Sequence, residues 1–307
     1  MRGNNLGGPD SGRDLTARRE GAGDVVLTHF VEPMARPDWL YCVRTFGLGR
    51  ATRGCERVTT EYSGRGDPAR SLALLWEGRK EPTRGPKPGL SLERIVRAAI
   101  EVADAEGLAV TSMRRVAERL GVGAMSLYTY VPGKAELLDV MLDTVFGEEP
   151  GADDPAGGWR AGLERRARQD SALYRRHPWV LQVSSARSVL GPNEIAIFES
   201  SLRTVSGIGL DGGEMVAVVS LVGGYVRGAA QGAIEAALAA QRTGLTDDQW
   251  WAARAPLLEK YFDPARYPIV SSVQQSGAFD GPADGADYNL QRTLDEFEFG
   301  LQRVLDG

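Results

Sequence analysis

The residues that could perform catalysis or hold a metal ion are few and scattered along the 307 residues of the chain. The two cysteines, Cys42 and Cys55, are too few for a metal site and too far apart for a C-x-x-C redox motif. The two histidines, His29 and His177, lie far apart in the sequence and give no signal of a metal site. No G-x-S-x-G, H-E-x-x-H or Walker A pattern occurs. We therefore expect no metal, no cofactor and no enzymatic activity.

The segment Thr111–Lys134, TSMRRVAERLGVGAMSLYTYVPGK, has instead the pattern of a binding motif. Two short helices are joined at Gly121-Val122-Gly123, which predicts a helix-turn-helix whose second helix enters the major groove of DNA. Ala117 is small enough for the helices to cross closely, and Gly121 can adopt the positive φ of the turn. An αα-hairpin with no role in DNA binding would show the same local pattern.

The elements that must position this motif are helices with one apolar face. Ser91 is the expected N-cap of a helix that ends at Gly107, and Ser112 opens the next, which ends at Gly121. A third short helix runs from about Ala124 to Tyr130, and Lys134 opens a fourth. The three-helix motif and its successor together occupy residues 90–148.

The remainder of the chain, residues 157–307, also has helical periodicity. The segment Asp211–Ala240 predicts a long helix that is apolar almost throughout and must be buried on most sides. Thr246 and Gln249 predict a capping box, and an apolar stripe ends the chain. No convincing alternating strand appears. The predicted fold is all-α in two parts.

The first of these parts resembles the DNA-binding domain of the TetR family of transcriptional repressors. The resemblance covers about 60 residues, from Leu90 to Phe146, and its most specific part is LY-x-aromatic-V followed by x-x-K-x-x-L-L. The part from Trp159 to Leu305 is similar, in layout more than in motif, to the ligand-binding and dimerisation domain of tetracycline-type repressors.

This resemblance implies two phosphate contacts. Tyr128 would donate its phenol hydroxyl, and Lys134 would offer an ammonium at a helix N-terminus, where the helix dipole adds to the attraction. Tyr130 occupies an aromatic position that supports such a contact. The alternatives are that Tyr128 is a core aromatic residue and that Lys134 is a solvated cap residue.

Base-edge contacts are expected around the same two helices. Arg114 could bind a guanine through O6 and N7, while apolar groups suit thymine methyls. Arg115 and Arg119 are more simply solvated or phosphate-facing charges. The expected base readers are Arg114, Gly123, Ala124, Met125 and Thr129.

The N-terminal part of the chain lacks sustained apolar periodicity. Residues 1–70 are interpreted as a disordered leader, which a later start at Met34 would shorten. Residues 71–89 form a basic arm, in which Arg84 and Lys87 either enter a minor groove or belong to a flexible linker. Within it, Ser71–Trp76 either docks as a short helical turn or stays unordered.

The C-terminal part is expected to dimerise and to hold a small molecule. Gly212–Ala240 and Tyr288–Leu305 are the candidate dimer helices, although an intramolecular core could account for some of their apolar positions. Several aromatic and polar residues could line an apolar pocket, or could be plain core. They are Trp159, Tyr174, His177, Trp179, Gln182, Phe198 and Tyr225.

The expected function is that of a homodimeric repressor released from palindromic double-stranded operator DNA by a small-molecule effector. A protein-binding adaptor, an activator with the same motif, and an enzyme carrying a decorative helix-turn-helix are the alternatives. The absence of a signal peptide and of a 20-residue apolar run favours a cytoplasmic protein without membrane contact. The net charge of -5 hides an asymmetry, because residues 1–134 hold 21 Lys and Arg against 16 Asp and Glu, whereas residues 135–307 hold 15 against 25.

Overall fold

The computed structural model describes residues 61–78, 89–148, 157–279 and 288–307, and most of these residues form α-helices joined by turns. All described residues belong to one compact unit. The helices are α1 Pro68–Trp76, α2 Leu92–Glu106, α3 Met113–Leu120, α4 Ala124–Tyr128, α5 Lys134–Phe146, α6 Gly158–Arg176, α7 Pro192–Thr204, α8 Gly212–Thr243, α9 Asp247–Tyr261, α10 Pro268–Gln275 and α11 Tyr288–Asp306, with a 3-10 helix at Pro178–Gln182. The predicted all-α fold is confirmed.

Two short strands depart from the expectation that the chain contains none. Strand β1, Glu61–Tyr62, pairs in parallel with β2, Val183–Ser184, so that Glu61 lies opposite Val183. A two-residue strand has no alternation that a sequence could show, since a period of two needs several residues to be visible. The prediction of no strand is therefore wrong at these four residues.

The predicted caps of the first helices are present. The Ser91 side chain accepts a hydrogen bond from the backbone N–H of Arg94, and that of Ser112 from Arg115. Gly121 ends α3 with φ of 69°, the left-handed conformation that the turn requires. These caps fix where α3 ends and therefore how α4 leaves it.

The core of the N-terminal part, residues 90–148, which we call the head, is formed by the predicted apolar faces. Ile95, Val116, Leu127 and Val145 are fully buried. The same core continues into the C-terminal part, which we call the body, through Trp179 and its neighbours Leu173, Val180 and Val183. A second core joins α6, α8 and α11 through Leu163, Ala167, Val222, Val226, Phe297 and Leu301.

Residues 61–70 correct the predicted extent of the disordered leader. They hold β1 and the start of α1, whose N-cap Asp67 accepts hydrogen bonds from the backbone of Ala69 and Arg70. Of the two alternatives for Ser71–Trp76, docking is confirmed, since Leu75 is buried in the head core. The boundary was predicted too late because residues 61–67 have no periodicity and are held by tertiary contacts instead.

The long helix α8 is buried on one side only, contrary to expectation. Val222, Val226, Ala230 and Ala233 are its buried residues, and Leu221 is 59% exposed. Within the described chain, α6 and α11 cover one face of α8, and its opposite face meets solvent.

Leu127 is the side chain of α4 that anchors the helix to the head core, so its truncation tests the packing of the motif. We expect Leu127→Ala to lower the free energy of unfolding by about 2–5 kcal/mol, because a cavity replaces a fully buried side chain. Equilibrium urea unfolding measures the change. Met125→Ala on the same helix is the matched control and should change it by less than about 0.5 kcal/mol, because Met125 is 78% exposed.

Candidate nucleic-acid interface and ligand cavity

Helix α4 presents one continuous exposed surface. Leu127 faces the core, so the helix turns Met125 and Tyr128 outward, with exposed fractions of 78% and 46%. Gly123 and Thr129 flank them and are exposed, whereas Ala124 is half-buried against the core. The structure thus brings the predicted α4 residues together.

Two further hydroxyl-bearing residues, Tyr130 and Ser126, lie at or next to α4. Tyr130 is half-buried and packs against the head core, so it supports α4 from behind. Ser126 is exposed beside Met125 and is an additional polar candidate for a base or phosphate contact. Its place next to a predicted reader on a five-residue helix was the signal that could have identified it.

The arginines of α3 are tied to carboxylates. Arg114 is the most exposed and its Nε lies 3.0 Å from Glu118 Oε1, while Arg115 reaches Glu106 at 2.6 Å. Arg119 pairs with Glu101. Exposed ion pairs of this kind exchange readily because they contribute little stability. Arg114 can therefore leave Glu118 for a base edge.

Lys134 stands at the first position of α5, six residues after Tyr128 in the sequence. Its Nζ lies 3.5 Å from Glu61 Oε1, and each of the two side chains is about one-third exposed. The predicted arm residues Arg84 and Lys87 lie outside the described residues.

A cavity of about 300 Å3 lies between the head and the body. Leu142 and Phe146 of α5 line it on the head side, and Tyr174, Phe198 and Arg227 on the body side. The segment from Val183 to Val189 forms a further wall, to which Ser63 also contributes. The same helix, α5, thus carries Lys134 at one end and lines the cavity towards the other.

The polar groups of the cavity wall are held by burial and hydrogen bonds. Arg227 donates to the backbone oxygens of Leu181 and Val183 at 2.8 and 2.7 Å. Burial raises the pKa of Tyr174 to about 12, so its hydroxyl is neutral at ordinary pH. Burial likewise raises the pKa of Glu194. The wall therefore carries the neutral Tyr174 hydroxyl, the Glu194 carboxyl group and the Arg227 guanidinium within a mostly apolar surface.

Of the seven predicted pocket residues, Tyr174 and Phe198 line this cavity, and the other five lie elsewhere. His177 and Trp179 are buried at the contact with the head, where Trp179 Nε1 donates to Asp104 Oδ1 at 2.8 Å. The Tyr225 hydroxyl donates to the backbone oxygen of Phe297 at 2.7 Å and joins α8 to α11. Trp159 and Gln182 are exposed. Apolar and aromatic residue types do not distinguish a cavity wall from a packed core, so the sequence could not separate the cavity-lining Phe198 from the packed Trp179.

His177 is the centre of a polar contact between head and body. Its Nδ1 lies 2.8 Å from Asp104 Oδ1 on α2, and its Nε2 lies 3.0 Å from Glu148 Oε2 after α5. Partial burial alone would raise the pKa of Glu148, but hydrogen bonds from His177 and Arg176 outweigh this effect and hold the pKa below its ordinary value. This contact fixes the orientation of α2 against the body.

The sequence also disfavoured a metal site and a membrane-spanning helix. Among the described residues, no group of three His, Cys, Asp or Glu side chains is placed to hold a metal ion. In the same part of the chain, none of the helices combines the length and apolar character that crossing a membrane demands.

Comparison with known proteins agrees with this architecture. Residues 95–141 match the family described as bacterial regulatory proteins, tetR family, and residues 149–307 match the tetracyclin repressor-like C-terminal domain. The HTH-type transcriptional repressor DrrR1 of Streptomyces coeruleorubidus is 49% identical over 265 residues, which cover 86% of this chain and 91% of the relative.

The chain belongs to the TetR family. It is a DNA-binding transcriptional regulator and not an enzyme.

More distant relatives show the same layout as this TetR-family regulator. An HTH-type transcriptional regulator of Saccharopolyspora erythraea is 29% identical and covers 75% of this chain and 89% of its own length. The crystal structure of the Streptomyces coelicolor TetR family protein ActR in complex with actinorhodin superposes with a TM-score of 0.56 at 26% identity. It covers 71% of this chain and 94% of ActR.

The placement of His177 predicts a structural role for this side chain. His177→Ala should lower the free energy of unfolding by about 2 kcal/mol, since the loss of a buried side chain leaves a cavity and Asp104 and Glu148 lose a hydrogen-bond partner. Urea unfolding followed by circular dichroism measures the change. Gln182→Ala, at an exposed neighbouring position, is the control and should stay within about 0.5 kcal/mol of the native chain. An equally small loss for His177→Ala would contradict the role.

Proposed function

We propose that this regulator is a homodimeric repressor that binds a palindromic operator through α3 and α4 and leaves it when a small molecule enters the cavity between head and body. The observation that carries the proposal is the position of α5. This one helix begins with Lys134, the proposed phosphate contact, and lines the cavity with Leu142 and Phe146. Its 13 residues span about 20 Å, so a rigid shift at the cavity moves the DNA-contacting end.

The DNA contacts follow from exposure and chemistry. Tyr128 and Lys134 are proposed to hold phosphate oxygens and so set the register of α4 in the major groove. Arg114 and Thr129, with Gly123, Ala124 and Met125, are proposed to meet base edges, the arginine at guanine and the apolar groups at thymine methyls. The exposed positions of Met125 and Tyr128 support these roles. For Tyr128, this exposure favours the phosphate contact over a place in the core.

The effector is proposed to be a largely apolar molecule with a few polar groups. Tyr174, Phe198 and Phe146 offer apolar surface, and Arg227 and the Tyr174 hydroxyl offer polar contacts. ActR, which shares this fold, is named in complex with actinorhodin, so the binding of a small molecule has a precedent in a related protein. Because coupling is reciprocal, an effector that weakens DNA binding must bind the DNA-free form more tightly by the same factor.

Dimerisation is proposed to use the exposed face of α8. Ala217, Leu221, Gly224 and Gly228 are exposed and follow one another at spacings of four, three and four residues, which places them on one stripe of the helix. An added Cβ at Gly224 or Gly228 would meet nothing within 4 Å in the chain itself. Glycines at such positions allow a partner helix to approach closely. Two heads in one dimer then read two half-sites.

The domain organisation is proposed to follow these roles. Residues 90–148 form the DNA-binding domain, and residues 157–307 form the ligand-binding and dimerisation domain. The name of DrrR1 as a repressor supports repression over activation. A protein-binding adaptor would have no use for Tyr128 and Lys134 beside an exposed α4.

The phosphate contacts are tested with DNA from the intergenic region upstream of the protein's own gene. Lys134→Ala should weaken binding and reduce the slope of log K against log salt by about 0.9, since one fewer counterion is released. Tyr128→Phe should weaken binding with little change in that slope, because it removes a neutral donor. Fluorescence anisotropy between 50 and 200 mM salt gives both numbers. Arg203→Ala on the exposed side of α7 is the control and should leave the slope unchanged, and an unchanged slope for Lys134→Ala would exclude its phosphate contact.

The dimer face is tested at Gly228. Gly228→Leu should convert the dimer into a monomer while helix content is kept, because the new side chain blocks a partner helix and meets no atom of its own chain. Analytical ultracentrifugation reports the mass, and circular dichroism reports the helix content. Gly212→Leu at the exposed start of the same helix is the control and should remain dimeric. A dimer that persists in Gly228→Leu would place the interface elsewhere.

A further inference from the structure

The segment of residues 61–76, which precedes the head, connects the cavity wall to the DNA-contacting helix; we call it the strap. On the cavity side, β1 pairs with β2, and Ser63 Oγ donates to the backbone oxygen of Arg187 at 2.8 Å. At the other end of the strap, Trp76 Nε1 donates to the backbone oxygen of Leu190 at 2.9 Å. The first contacts fall on the 183–189 segment that walls the cavity, and the Trp76 contact falls on Leu190, the next residue.

The strap is also fixed to α5. The backbone N–H of Gly64 and the hydroxyl of Ser71 donate to the two carboxylate oxygens of the buried Asp139, each at 2.9 Å. The backbone N–H of Asp67 donates to Glu136 Oε1 at 3.1 Å. A side chain at Gly66 would collide with Glu136, so the strap lies directly on the helix. The strap therefore contacts both α5 and the cavity wall.

The first residue of the strap meets the proposed DNA contact. Glu61 Oε1 is 3.5 Å from Lys134 Nζ, and β1 holds Glu61 there through its pairing with Val183. A phosphate that draws the Lys134 ammonium to itself does so at the expense of the ion pair with Glu61. Glu61 thus occupies the position of a competitor for DNA.

We propose that the strap is an autoinhibitory element in which Glu61 competes with operator phosphate for Lys134, and in which β1–β2 pairing links this competition to the cavity wall. The inference rests on the proposed DNA contact of Lys134 and adds its regulation. A ligand that orders the 183–189 wall holds the strap in place and keeps Lys134 on Glu61. DNA that takes Lys134 frees the strap and loosens the wall, as reciprocity requires.

A double-mutant cycle tests the competition in the full-length chain, with the upstream DNA fragment as the only ligand. Glu61→Gln should tighten DNA binding about two- to fivefold, the range expected from an exposed ion pair. In a Lys134→Ala background the same change should have no effect. Glu77→Gln, an exposed charge just after the strap, is the matched control and should equal the native chain.

The link to the cavity wall is tested by two further measurements. Ser63→Ala loosens the strap without changing its charge and should tighten DNA binding about twofold. Hydrogen exchange of the native chain should be faster in peptides covering 61–64 and 183–187 when DNA is bound than when it is absent.

The outcomes separate the two proposals. If the native chain binds no upstream DNA fragment, the proposed function itself fails. If it binds, any of three results refutes the autoinhibitory strap. The first is equal DNA affinity of Glu61→Gln and the native chain, and the second is a Glu61→Gln effect that persists in the Lys134→Ala background or is matched by Glu77→Gln. The third is hydrogen exchange at 61–64 and 183–187 that DNA leaves unchanged or slows.

Discussion

Burial of the helix α5 is the constraint on which the rest of the structure depends. Residues 136–143 are buried without interruption, and this run includes the carboxylates of Glu136, Asp139 and Asp143. A buried carboxylate is costly unless donors satisfy it. The strap supplies the donors for Glu136 and Asp139, and the N-terminus of α7 supplies the backbone N–H groups of Asn193 and Glu194 for Asp143. Two other parts of the chain, the strap and the start of α7, must therefore pack on α5 together.

The burial of α5 also links the cavity to Lys134 along the same helix. Because residues 136–143 of α5 are buried, a displacement of α5 at the cavity must also move the parts of the chain that pack on it. Burial raises the pKa of Asp139 and Asp143 above the ordinary value of an aspartate, despite the hydrogen bonds that they accept. Their donors hold the strap and α7 in position. The cavity, the strap and Lys134 are in this way parts of one packed arrangement.

In the body, by contrast, the apolar helix α8 is buried on one face and exposed on the other. Helix α8 buries Val222 and Val226 against α6 and α11 but exposes Leu221 and two glycines on its other side. On α11, Phe299 is 68% exposed. Exposed apolar area of this kind is typical of a surface that another chain covers. It also explains why the composition of α8 predicted fuller burial than one chain provides.

The sequence alone determined the helices of the head, their caps and the exposed face of α4, because these follow from local rules. Ser91, Ser112 and Gly121 act on neighbouring residues, and a period of 3.6 residues assigns Leu127 and its neighbours to a face. The family resemblance carried the expected roles of Tyr128 and Lys134. Tertiary structure alone decided which aromatic residues line the cavity, since a packed Trp179 and a cavity-lining Phe198 have the same pattern in sequence. It also decided the contacts of the strap, because Glu61 and Lys134 are 73 residues apart and no periodicity relates them.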